Sequence, residues 1–270
     1  IVAISTVSGG SATENGTQTE TITITENESA PTITLSTSTS SVAENSGTIV
    51  TLTVTSSQAA DEDITVTLAS SGTATDGTDY SSVNSSSLTI TTGTTTATKT
   101  FTITDNSIYE GNETIIVSIN TVSGGGAAES ETQTETITIT ENESAPTVSI
   151  DVDGATSASV YDNGSNLTLT ATSTQISDEA ITVVIGTSVG GATEGTDYAV
   201  ISDITIAAGA TTGTAIFNPT ADTVNEGSET ETVSITSVSG ADSTTSGTSS
   251  ISITINEYAL RTGTAFTEGT

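Results

Sequence analysis

The sequence predicts an all-β chain of tandem antiparallel β-sandwiches, about seven strands each, arranged end to end as a rod. Three observations lead there. Residues 17–31, TQTETITITENESAP, return letter for letter at 132–146, and self-similarity at a fixed period marks an array of repeated structural units. Apolar residues alternate with Thr and Ser over many short runs, as a strand with one buried face requires, and Thr at the outward positions is itself a good strand former. No helical period appears, and clusters of Gly, Asn, Asp and Ser close the runs as turns do.

Residues 1–30 match 116–145, though not letter for letter throughout, and so supply only the last two strands of a preceding unit. A two-strand ribbon is marginal alone, and it needs either the rest of its own unit or strands exchanged with another copy. The first full unit, 31–145, holds seven alternating runs. They centre on Ile33/Leu35, Val50/Leu52/Val54, Ile64/Val66/Leu68, Leu88/Ile90, Phe101/Ile103, Ile115/Val117/Ile119 and Ile137/Ile139. The second, 146–257, repeats the order at Val148/Ile150, Leu167/Leu169, Ile181/Val183/Ile185, Ile204/Ile206, Ile216/Phe217, Val233/Ile235 and Ile251/Ile253/Ile255. Seven short strands in roughly 110 residues describe a sandwich. Residues 258–270 match nothing in the other repeats and read as a linker, the start of a next element or a donated strand. Between the two units, Glu141-Asn142-Glu143-Ser144-Ala145-Pro146 leaves almost no slack. Pro146 fixes its own φ and pushes Ala145 toward an extended conformation, so the joint is stiff and favours a rod.

Composition narrows the function classes. Against 33 acids stand only Lys99 and Arg261, a formal net charge of −31, and there is no His, Cys, Met or Trp. Such a surface cannot neutralise phosphates, which argues against nucleic acid and anionic membrane faces as partners. It recruits cations, which relieve its self-repulsion. No apolar run approaches the roughly 18 residues that span a bilayer. The absence of His and Cys removes the usual bases and nucleophiles and argues against an enzyme. Aromatic content of 3% argues against a sugar-binding face.

Four acidic elements recur at matching places in both units. Ser41-Val42-Ala43-Glu44-Asn45 is answered by Ser159-Val160-Tyr161-Asp162-Asn163. Gly72-Thr73-Ala74-Thr75-Asp76-Gly77-Thr78-Asp79-Tyr80 is answered by Gly191-Ala192-Thr193-Glu194-Gly195-Thr196-Asp197-Tyr198. Asp105-Asn106-Ser107-Ile108-Tyr109-Glu110-Gly111-Asn112-Glu113 is answered by Asp222-Thr223-Val224-Asn225-Glu226-Gly227-Ser228-Glu229. Glu141-Asn142-Glu143 closes the first unit, and the shorter Asn256-Glu257 the second.

This ordered set resembles the Calx-beta domain, and the resemblance covers nearly all of the chain outside its tail. It implies an immunoglobulin-like sandwich whose acids gather at one pole and bind calcium. Carried over by motif, the implied calcium ligands are Glu44, Asp79, Asp105, Glu110, Glu141 and Glu143 in the first unit, and Asp162, Asp197, Asp222, Glu226 and Glu257 in the second. The residue types suit that chemistry, since calcium takes six to eight oxygens in irregular geometry. The acidic segment is diluted here to Asp105-Asn106-Ser107, and its first position falls near Ala221 in the second unit. Fewer charged ligands imply weaker binding, toward roughly 10⁻⁴–10⁻³ M. Because Glu141 and Glu143 directly precede the joint, bound calcium is expected to stiffen it.

The expected role is a structural repeat segment of a large, secreted bacterial cell-surface protein: an adhesin, stalk or filament. Its partners are then the neighbouring repeats, other copies through strand exchange, and a surface or glycan target. The alternative is a calcium- or glycan-binding module of a surface protein.

Overall fold

The computed structural model describes residues 1–25, 27–84, 86–188 and 191–258. A small ribbon pairs β1 (Val2–Ala3) with β2 (Thr19–Glu20). The first sandwich follows, built from β3 (Thr32–Thr37), β4 (Ser41–Ala43), β5 (Ile49–Ser56), β6 (Ile64–Gly72), β7 (Ser87–Ile90), β8 (Thr96–Thr102), β9 (Glu113–Ser123), β10 (Ala128–Glu129) and β11 (Thr134–Thr140). The second repeats the plan with β12 (Thr147–Val152), β13 (Ser157–Tyr161), β14 (Leu167–Ser173), β15 (Ile181–Thr187), β16 (Ile204–Ile206), β17 (Thr212–Phe217), β18 (Glu229–Ser239), β19 (Thr244–Thr245) and β20 (Ser250–Asn256). Among the described residues one 3-10 turn, Glu44–Ser46, interrupts the all-β pattern.

In the first sandwich a four-stranded sheet, β10-β3-β5-β8, faces a five-stranded one, β4-β11-β9-β6-β7. The second has the same two sheets in the same order, β17-β14-β12-β19 and β13-β20-β18-β15-β16. Among the described residues each unit therefore has nine strands where the alternation predicts about seven. The additions, β4 and β10 with their counterparts β13 and β19, are short edge strands. They pair in parallel with their neighbours, whereas the other ladders are antiparallel. The two- and three-residue strands bury at most one apolar side chain, Val42 in β4, and the five-residue β13 buries only Val160, so they leave no periodic trace in a sequence.

Alternation sets the faces of the longer strands. Val50, Leu52 and Val54 of β5 point inward and meet Ile33, Leu35 and Phe101, while the intervening Thr residues face out. Each core is closed by an aromatic pair at the same place. Tyr80 meets Phe101 edge-on at 5.8 Å, and Tyr198 stacks on Phe217 at 4.8 Å. Gly72 lets the second acidic loop leave β6 tightly against β9. It holds φ at 120°, and a Cβ there would lie 2.1 Å from the Thr114 carbonyl oxygen.

The β1–β2 ribbon pairs Ala3 with Thr19, and the first sandwich pairs Ser118 with Thr134 at the positions carrying the repeated text. Ile22 and Ile24 are 69% and 93% exposed, although their counterparts Ile137 and Ile139 are buried. Of the sequence 258–270, only Tyr258 lies within the described residues. Among those residues no helix is long and apolar enough to cross a membrane.

The two sandwiches meet through one loop. Tyr109 belongs by sequence to the first unit and by packing to the core of the second, where it is 8% exposed. Its N–H donates to the Ile176 carbonyl at 2.9 Å, its own carbonyl accepts from Asp178 N–H at 3.2 Å, and its hydroxyl donates to Asp242 Oδ2 at 2.9 Å. Gln175 Nε2 donates to the Ser107 carbonyl at 2.9 Å.

Candidate metal centre

Three loops and one strand end bring the acids of the first sandwich to the pole that carries Tyr109. Glu44 opens the turn after β4, Asp79 ends the loop after β6, Glu110 lies on the Tyr109 loop, and Glu141 and Glu143 follow β11. Two groups of three form, each offering carboxylate oxygens within 4.8 Å of one another. One comprises Glu44, Glu141 and Glu143, and the other Asp79, Glu110 and Glu113.

Hydrogen bonds hold this pole in shape. Glu141 Oε2 accepts from the N–H groups of Glu110 (2.6 Å) and Gly111 (2.9 Å), and its Oε1 accepts from Asn142 (2.8 Å) and Glu143 (2.9 Å). Asp79 Oδ2 accepts from Thr75 N–H at 2.6 Å, and Asn106 ties Glu44 to Glu110 by donating to both. Two oxygens are left over: Asp79 Oδ1 and Glu143 Oε2 are buried with no hydrogen-bond partner. Asp79 as a whole is only 6% exposed.

The electrostatics show the strain of gathering like charges. Burial pushes the Glu44 carboxyl up to about 7, and Glu141, Glu143 and Glu110 add to it against the opposing bond from Asn106 N–H. Burial, then Asp79 and Glu110, push Glu113 up to about 7 as well. Glu110 is raised for the same first reason. Glu143 is raised chiefly by its bond to Glu141. Burial pulls Glu141 upward too, but the bonds from Glu143 and from backbone N–H groups outweigh it and hold its carboxyl low.

The second pole is the same arrangement in a looser form. Asp162, Asp197, Asp222, Glu226 and Glu257 all line one cavity of ≈ 20 Å³ together with Glu229, about the space of a single water or ion. Carboxylate oxygens of Asp197, Asp222 and Glu226 lie within 4.8 Å of one another. Asp222 and Glu226 are exposed, unlike the closely packed acids of the first pole.

Ten of the eleven acids singled out by motif thus stand in one of these three groups or line the second-pole cavity. Asp105 does not. It is exposed and outside all three groups, and its charge adds to that on Glu143. Glu113 and Glu229 stand in the sites without having been singled out. Each opens a long strand, where an acid reads as an outward strand residue, yet each also sits three positions after Glu110 or Glu226. That spacing was the available signal.

The donor set is all carboxylate, hard oxygen chemistry suited to a divalent cation such as calcium. The family profile for the Calx-beta domain matches residues 26–143 and 147–258. No curated protein matches the chain. Among solved structures the chain is similar to CBD12 from CALX1.2, with 14% identity over 84% of this chain and 100% of that one at a TM-score of 0.38. It is also similar to the apo-form Calx CBD1 domain (14% identity, 42% and 99% covered, TM-score 0.37) and to domains 4 and 5 of the S-layer protein SbsC (16%, 84% and 98%, 0.25). Those overall superpositions are too loose to decide the matter, whereas the profile accounts for both sandwiches from end to end. The chain belongs to the Calx-beta domain family.

Proposed function

We propose that this chain is a structural segment of a large extracellular surface protein, an adhesin, stalk or filament, whose modules are held in line by calcium bound at their acidic poles. The observation that carries the reading is the position of the first pole. Glu110 supplies a carboxylate to it, and its neighbour Tyr109 is seated in the next module's core. Glu141 and Glu143, five and three residues before Pro146, tie the same pole to the chain's only connection between modules. Cations there would meet Glu44, Glu141 and Glu143 in one group and Asp79, Glu110 and Glu113 in the other. They would offset the mutual repulsion of these carboxylates and satisfy Asp79 Oδ1 and Glu143 Oε2, each of which costs about 1–3 kcal/mol while buried and unpaired.

The test is small-angle scattering and thermal melting of the chain in millimolar calcium and then in excess chelator. Chelation is expected to lower the melting temperature and broaden the distribution of particle lengths. If neither quantity moves, the acids are solvated loop charge and the modules are calcium-independent spacers.

A further inference from the structure

Asp178 lies outside the four acidic motifs, in the connection between β14 and β15 of the second sandwich. The joint places it beside the first pole. Tyr109 N–H donates to Ile176 O and Asp178 N–H donates back to Tyr109 O, so the two segments run as a short parallel bridge with Tyr109 opposite Ser177. Asp178 is then held next to the residue that precedes Glu110. The electrostatics agree with that placement. Asp178 acts on both Glu110 and Glu113, and its own carboxyl is raised by burial, then by Glu179 and Asp79. Asp79 Oδ1, buried and without a partner within the same group, marks an unfilled valence there.

The receiving edge is a repeated feature. The first sandwich carries Gln58-Ala59-Ala60-Asp61 where the second carries Gln175-Ile176-Ser177-Asp178, and there it borders a cavity of ≈ 520 Å³ with Gly125 and Gly126. In the second sandwich the matching edge, completed by Ala241 and Asp242, is filled by Tyr109.

We propose that Asp178 is a cation ligand supplied by the second module to the Asp79–Glu110–Glu113 site of the first, so that a divalent cation is bound across the joint. This rests on the calcium reading above and goes further: affinity at the first pole depends on the docked second module, and occupancy closes the joint. Without the cation, docking brings a fourth carboxylate against three others. With it, the same carboxylate completes the coordination. Asp178 is therefore repulsive in one state and attractive in the other.

That opposition supplies the test. The full chain, D178N and D178E are titrated with calcium by calorimetry and melted in excess chelator. D178N keeps the backbone N–H that bonds Tyr109. It is expected to weaken one class of calcium site about tenfold and, in chelator, to melt higher than the wild type because one repulsive charge is gone. D178E restores the charge and most of the affinity. Wild-type affinity in D178N would overturn the proposal and leave the calcium reading standing. Equal weakening in D178N and D178E would also overturn it, because the joint would have been damaged rather than deprived of a ligand. A wild-type chain that takes up no calcium would overturn both.

Discussion

Tyr109→Ala tests the joint most directly, because the ring stabilises a module to which it is not covalently native. Tyr109 is buried to 8% exposure within the second core, and its hydroxyl donates to Asp242. Truncating a buried large aromatic costs about 3–5 kcal/mol, and a hydrogen bond to a charged acceptor contributes about 1.5–3 kcal/mol of that kind of loss. Within one domain the loss would fall on a single transition. Here the contact vanishes when either module unfolds, so whichever melts first carries all of it. For a domain of about this size 1 kcal/mol moves the midpoint by about 4 °C, so a loss of about 3–5 kcal/mol should lower the first transition by roughly 12–20 °C. Tyr109→Phe, which removes only the hydroxyl, should move it by about half as much or less. Differential scanning calorimetry of the full chain reads both variants. If the lower transition of Tyr109→Ala stays within about 2 °C of wild type, the ring is not seated in the second core in solution.

Glu231 is fully buried at 0% exposure with Oε2 unpaired, at the strand position where β9 carries Ile115. Glu231→Ile should stabilise the second module by about 1–3 kcal/mol, since Ser188 N–H keeps its bond to Thr232 O; a lower melting temperature would show the carboxylate to be structural. Glu44 and Glu113 are both pushed up to about 7, chiefly by burial, so the folded chain holds protons that the unfolded chain releases near pH 4.5. In chelator its stability should therefore rise as pH falls from about 8 toward 5 and be lost as pH climbs through about 7; a melting temperature that is flat or rises with pH across that window contradicts the assignment.

The sandwich architecture was legible because it depends on side-chain alternation, and alternation is written locally. Val50, Leu52 and Val54 announce β5 without any knowledge of what they pack against. The edge strand β4 offers only Val42, and its pairing with β11 depends on residues nearly a hundred positions away. Acid positions were legible for a related reason: they sit in loops with strong turn residues. Glu113 was hidden because the first residue of a strand can face either way. The destination of Tyr109 was not legible at all. A tyrosine in an acidic loop looks the same whether it covers its own domain or enters the next, and only the packing of two modules decides. Asp178 shares that difficulty, being an ordinary turn acid until Tyr109 is placed beside it.

The chain's charge imbalance explains why the first pole is built as it is. Among the described residues Lys99 is the one basic side chain, and it lies on β8, opposite Leu52. The pole must therefore answer its carboxylates with backbone N–H groups, with protons or with ions from solution. Each device falls on different residues. Glu141 takes four backbone N–H groups from its own loop and the Tyr109 loop, so its role is to fix the loops that carry the others. Glu44 and Glu113 take the protons, which is the meaning of their raised carboxyls. Asp79 Oδ1 and Glu143 Oε2 are buried and accept no backbone N–H. A proton cannot serve two separated oxygens at once, and water brings no net positive charge. A multivalent cation can bind several carboxylates together and release the protons from Glu44 and Glu113 as it does so. The looser second pole, with Asp222 and Glu226 already in solvent, accumulates less of this strain. If a cation binds as proposed, its main effect falls at the joint, where an acidic pole is pressed against the next module, rather than equally at both poles.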